Sequence, residues 1–121
     1  MVLAAVDDLL FSSKIRATAK GAGVDLVFAR TPAEILEYAR TQSPSLVIFD
    51  LDSAKVDPMA TIAAMKADPA LASIRTLGFV SHVHTAVIDA ARAAGADEVM
   101  PRSAFASHLA GILLAGRTAN P

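Results

Sequence analysis

The segment from Pro44 to Ser53 restricts the fold of this chain more than any other stretch. Leu46, Val47, Ile48 and Phe49 are apolar without a break, and the run ends at two acids, Asp50 and Asp52. A short unbroken apolar run between turn signals is the pattern of a strand buried on both faces. Such strands belong to parallel sheets covered by helices on both sides. In open sheets of this kind, ligands and chemistry sit at the carboxyl ends of the strands. Asp50 stands at such an end and is the first candidate functional residue.

The rest of the chain repeats that unit. Residues 2–6 are a first apolar strand, ending at Asp7 and Asp8. A helical pattern runs from Leu9 to Lys20, with Leu10, Ile15 and Ala19 as buried candidates, and Gly21 and Gly23 supply its stop. A second strand covers Val24 to Ala29. Thr31, Pro32 and Glu34 then give a threonine cap, a proline at the first helical position and a glutamate three residues after the cap. That helix runs to about Thr41, with Ile35, Leu36 and Ala39 inward. After the central strand, Asp57 and Pro58 repeat the cap-then-proline signal, and Asp68-Pro69 closes the helix. A fourth strand covers Ile74 to Val80, a fourth helix Thr85 to Ala94 with Gly95 as its stop, and a fifth strand Asp97 to Met100. Ser103 is the expected cap of a last helix through Phe105, Leu109, Ile112 and Leu113, followed by a frayed tail from Arg117 to Pro121. Alternation of this kind predicts one α/β domain over residues 1–121, without linker or repeat.

Composition narrows the function classes. Hydrophobic residues make up 54% of the 121 and charged ones 19%, enough apolar surface for a core. Alanine inflates the hydropathy, no apolar run reaches the ~18 residues of a membrane span, and the acidic start is wrong for a secretion signal. No cysteine is present, so disulfides and thiolate metal sites are excluded and a cytoplasmic location is expected. The net charge of −1 without a basic block gives a nucleic-acid surface no support.

The residues just past each strand form a set: Asp7 and Asp8, Asp50, Ser81 and Arg102. Clustered carboxylates repel one another, and a hard cation such as Mg²⁺, bound through oxygen, would hold them together. A carboxylate beside such a cation can attack phosphorus, and a hydroxyl and a cation nearby can bind the phosphoryl oxygens.

These residues resemble the response-regulator receiver domain along the whole chain. Val6-Asp7-Asp8 is similar to that family's acidic pair, Pro44 to Leu51 to its phosphoacceptor strand, and Val80-Ser81 to its switch hydroxyl. Gly95 to Arg102 is similar to the stretch leading to its lysine. The resemblance implies a flavodoxin-like (βα)5 sandwich with a five-stranded parallel sheet in order 2-1-3-4-5. It implies Asp50 as phosphoacceptor, Ser81 and Arg102 reading the phosphoryl group, and Mg²⁺ held by Asp7, Asp8, Asp50 and the backbone carbonyl of Asp52. It further implies a non-enzymatic signalling module, at most catalysing its own phosphorylation and dephosphorylation. Its partners would be a histidine kinase or phosphotransfer protein and a downstream effector. A homodimer is expected through the face of the fourth helix, fifth strand and fifth helix, including Val87, Ala91, Val99 and Ala106.

Departures from the family pattern keep a second reading open. Arg102 stands in place of the lysine, Ser103 in place of the following proline, Ala54 in place of a loop proline, and Pro58 in place of a glycine. His82 stands where a small residue is usual, Val99 where an aromatic is common, and Asp52 adds negative charge. Arginine is a planar fork and not a neutral replacement for lysine. An Arg102–Asp50 lock and a pocket blocked by His82 would describe a pseudo-receiver, a protein-interaction module that signals without phosphorylation. Plainer roles exist as well: Asp50 as a loop cap, Asp7-Asp8 as a helix N-terminus, and His82 and His84 as solvated loop residues.

Overall fold

The computed structural model describes residues 1–81 and 85–116; His82 and His84, and the tail from Arg117, lie outside the described residues. The elements alternate as expected: β1 (Val2–Ala5), α1 (Leu9–Ala22), β2 (Leu26–Phe28), α2 (Pro32–Gln42), β3 (Leu46–Asp50), α3 (Pro58–Ala67), β4 (Arg75–Val80), α4 (Thr85–Ala94) and β5 (Glu98–Pro101), then α5 (Arg102–Ser107) and α6 (Leu109–Gly116). The strands form one parallel sheet in order β2-β1-β3-β4-β5. This is the flavodoxin-like (βα)5 arrangement, and it places the carboxyl ends of β1, β3 and β4 side by side.

Strand alternation splits the core into two layers. Val2, Ala4, Leu46, Ile48, Leu77 and Phe79 face one side, where Phe11, Ile15 and Ala19 of α1 and Phe105, Leu109 and Leu113 of α5 and α6 cover them. Leu3, Ala5, Val47, Phe49 and Val80 face the other, under Ile35 and Ala39 of α2, Ile62 and Met65 of α3 and Ala91 of α4. β3 is therefore buried on both faces, which explains why its sequence is apolar without alternation.

Several local expectations are corrected. Leu10 is 88% exposed, and the inward face of α1 begins instead at Phe11. The reason is the cap: Asp8 accepts from the Phe11 N–H at 3.0 Å, which sets the helix phase so that Phe11, Ile15 and Ala19 point inward at a spacing of four. α1 also runs past Gly21 to Ala22, and Gly23, at φ 70°, makes the left-handed stop. β2 is shorter than residues 24–29, and β5 ends at Pro101. Thr31 caps α2 as expected, with the Glu34 carboxylate returning to the Arg30 N–H at 3.1 Å. Asp57 does not cap α3: it is left-handed at φ 44° and makes no side-chain cap bond. Ser103 is no cap either, because α5 already begins at Arg102 after Pro101. The last helix bends at His108, where the Ser107 hydroxyl donates to the Ser103 carbonyl at 2.7 Å and the His108 ring lies 2.9 Å from the Ala104 carbonyl oxygen. Side chains that compete for helix carbonyls in this way bend helices.

One glycine shapes the ground beneath the site. A Cβ on Gly78 would meet the side chain of Leu51 at 2.8 Å. Its absence lets Leu51 fold under the loop after β3, where the Leu51 N–H bonds the Phe79 carbonyl at 2.9 Å.

Candidate functional site: an aspartate pocket at the strand ends

Asp50 ends β3 with only 5% of its surface exposed. Its Oδ1 accepts from the Asp52 N–H at 3.0 Å, and its Oδ2 lies 3.9 Å from Nη2 of Arg102. Burial pushes the Asp50 carboxyl above its ordinary value. The Asp52 N–H and Arg102 work against that, and the negative charges of Asp52 and Asp8 add to it. Asp50 is thus a desolvated carboxylate crowded by two others.

Asp8 serves two roles. Its Oδ1 caps α1 and its Oδ2 lies 3.5 Å from Arg102 Nη2. The Phe11 N–H holds its carboxyl below the ordinary value; burial opposes this, while Arg102 and the Leu10 N–H reinforce it. Asp7 turns toward two other cations, with Arg30 and Lys55 each at 3.9 Å.

Arg102 starts α5 and joins the set. One guanidinium nitrogen serves both Asp8 and Asp50, and the guanidinium carbon lies 4.6 Å from the ring centre of Phe11 and 5.6 Å from that of Phe79. Its Nε is buried without a hydrogen-bond partner among the described residues. Phe79 is itself stacked on Phe105 at 4.6 Å, with ring planes 7° apart. The cation is therefore seated on an aromatic platform that belongs to the core. Ser81 follows β4 directly, and its backbone N–H donates to Oδ2 of Asp52 at 2.6 Å.

Sequence reasoning placed Asp7, Asp8, Asp50, Asp52, Ser81 and Arg102 at one edge, and all are there. Asp8, Asp50 and Arg102 form direct contacts, Asp52 bridges Asp50 to Ser81, and Asp7 stands apart with Arg30 and Lys55. Among the described residues, no three acidic, histidine or cysteine side chains are grouped closely enough to enclose a metal ion. Phe11, Phe79, Arg30 and Lys55 were not read as site residues. The signal for Phe11 was its place three residues after the capping Asp8.

One expectation for the interaction face is corrected. Ala91 is fully buried beneath α4 and presents nothing to a partner, whereas Val87 and Val99 are partly buried against the same core layer.

The raised Asp50 sets a pH dependence of stability. In the folded state the proton is held more tightly than at the ordinary value of 3.8. The ionised form therefore carries a folding penalty at neutral pH, which disappears as pH falls through the raised value toward the ordinary one. Asp50→Asn, which stays neutral, is expected to raise stability at pH 7 by on the order of 1 kcal/mol. The gain should shrink to nothing below the ordinary aspartate range. Thermal melts across that range check it; an unchanged or lower stability of the variant at pH 7 would contradict the assignment.

The fold has many solved counterparts. A response regulator from Hahella chejuensis superposes with a TM-score of 0.85 at 20% identity, covering 99% of this chain and 96% of that one. The phosphorylated cyanobacterial phytochrome response regulator RcpA gives 0.77 at 22% identity, covering 93% and 86%. The Mn(2+)-bound form of response regulator Rcp1 gives 0.73 at 18% identity, covering 92% and 89%. No family model matches the sequence, and no curated protein matches it either. Among the described residues, no helix is long and apolar enough to cross a membrane. In its sheet order, its helical layers and nearly its whole length, this chain has the fold of response-regulator receiver domains.

Proposed function

We propose that the protein is a signal receiver that accepts a phosphoryl group on Asp50. The observation that carries this reading is the environment of Asp50: a buried carboxylate at the end of the central strand, with an arginine and a backbone N–H at its two oxygens. A carboxylate oxygen of Asp50 attacks the phosphorus of a phosphodonor. The bond from phosphorus to the donor's leaving group breaks, and the electron pair leaves with that group. The product is an acyl phosphate, which water returns to the free carboxylate. Arg102, already beside Asp50, pairs with the added negative charge, and Ser81 stands at the neighbouring strand end to donate to a phosphoryl oxygen.

The donor set suits a hard divalent cation. Asp50 is pushed up in part by Asp8 and Asp52, an excess of negative charge that such an ion relieves. Asp8, Asp50 and the Asp52 carbonyl would hold Mg²⁺, with Asp7 nearer Arg30 and Lys55. When bound, the ion would neutralise charge on the carboxylate and phosphoryl oxygens. A histidine kinase or phosphotransfer protein is the proposed donor, and an effector protein the recipient of the signal.

A second reading draws on the same arginine. Arg102 already serves both Asp8 and Asp50 on its aromatic seat, and a lock of this kind suits a pseudo-receiver that works by protein interaction alone.

Incubation with acetyl phosphate and Mg²⁺, followed by intact-mass analysis, separates the two. The receiver reading expects a gain of one phosphoryl group that Asp50→Asn lacks. No gain in the folded protein would sink it and leave the interaction module.

A further inference from the structure

Asp52 uses both ends of its residue on the pocket. Its backbone N–H donates to Oδ1 of Asp50 at 3.0 Å, and its carboxylate accepts from the Ser81 N–H at 2.6 Å. The second bond is at the short end for a carboxylate acceptor. It ties the loop after β3 to the residue that follows β4, and the two strands are already in register at Asp50 and Phe79. A backbone donor at a strand end beside a phosphorylated aspartate is the kind of group that binds an oxyanion. Here an anion of the chain itself already occupies it.

We infer that Asp52 is a positioning residue whose carboxylate occupies the Ser81 N–H until a phosphoryl group on Asp50 competes for it. This rests on the receiver reading for its competitor, but the tie itself does not. Asp52 and Asp50 are like charges that already disfavour one another. Phosphorylation turns the single negative charge of Asp50 into the ~1.5–2 negative charges of an acyl phosphate. Repulsion and competition then act together to move the Asp52 carboxylate off Ser81. Phosphorylation thus reads out as a change in the link between the two loops, and Asp52 slows the arrival of the phosphoryl group. Asp52 is exposed, so replacing it leaves the core intact.

Two readouts on the full chain test this. In ¹H–¹⁵N spectra of the unphosphorylated protein, the Ser81 amide proton should lie downfield, move well upfield in Asp52→Ala and move less in Asp52→Asn, which keeps an acceptor oxygen. An unchanged Ser81 amide in folded Asp52→Ala would overturn the tie. With acetyl phosphate and Mg²⁺, phosphorylation should be at least about threefold faster in Asp52→Ala than in the wild type. Asp52→Asn should fall between them. Equal rates in the two variants would reduce Asp52 to a bulk charge, and equal rates in all three would remove the competition; either result overturns the inference. If Asp50 takes no phosphoryl group in any of the three, the receiver reading fails and the competition with it. The Ser81 amide alone then reports whether the tie is real.

Discussion

Phe79→Ala is expected to destabilise the protein by about 3–5 kcal/mol, the usual cost of emptying a buried aromatic site. Phe79 is fully buried, stacks on Phe105 at 4.6 Å and meets Phe11 at 5.1 Å. Three rings from β4, α1 and α5 thus hold one corner of the core, and no flexible side chain in that set can move in to fill the gap. The same ring forms part of the seat of Arg102. A domain of this size has only about 5–15 kcal/mol of stability in total, so the variant should unfold at much lower denaturant. Phe79→Leu keeps most of the volume and should cost less than half as much. Urea unfolding of both variants checks this. A loss below about 1 kcal/mol for Phe79→Ala would mean that the cluster is not packed as described.

The second large effect lies at the opposite end of the sheet. Lys66→Met is expected to cost about 1–2 kcal/mol, although the new side chain fills similar space; the two carbonyl bonds carry most of this, because the partner Asp97 is half-exposed. Lys66 Nζ donates to the carbonyls of Ala72 and Ile74 at 3.2 and 3.1 Å and to Asp97 at 3.1 Å. Asp97 in turn accepts from the N–H and hydroxyl of Thr76, which is fully buried. Removing the ammonium leaves two carbonyls and a carboxylate without their cation. Gly95 makes room for this lysine: a Cβ there, at φ 111°, would meet Lys66 Cγ at 2.6 Å. Burial acts to raise Asp97, but the bonds from Thr76 and Lys66 outweigh it and hold the carboxyl below its ordinary value. For a lowered carboxyl, the stabilisation is present above the ordinary value of 3.8 and lost as pH falls through the folded value. Lys66→Met should therefore lose most at neutral pH and differ least from the wild type in acid. Urea unfolding at pH 7 and in acid measures both; an equal loss at both would point to packing rather than to the ion pair.

What the sequence made legible follows from how each signal arises. β3 was readable because burial on both faces demands an apolar run, and Asp50 because that run stops at an acid. α2 was readable because Thr31, Pro32 and Glu34 act through local bonds alone. Leu10 was misplaced because Leu9, Leu10 and Phe11 are all apolar, and only the Asp8 cap decides which of them faces inward. Asp57 carries the composition of a cap, but its backbone is left-handed rather than in the extended conformation usual for a cap, and its side chain makes no cap bond. The site residues were visible as strand-end positions, whereas their pairing was not. That Arg102 sits on Phe11 and Phe79, and that Asp52 reaches Ser81, depends on side chains distant in sequence meeting across the sheet. No spacing rule encodes such contacts.

The central claim is that Asp50, of the four aspartates at this edge, is the nucleophile. Borohydride reduces an acyl phosphate on aspartate to homoserine, so treating the acetyl-phosphate-reacted protein with it and mapping the peptides locates the phosphoryl group. Homoserine at position 50 alone is the predicted result. Homoserine at position 7, 8 or 52, or at none of the four, would contradict the account.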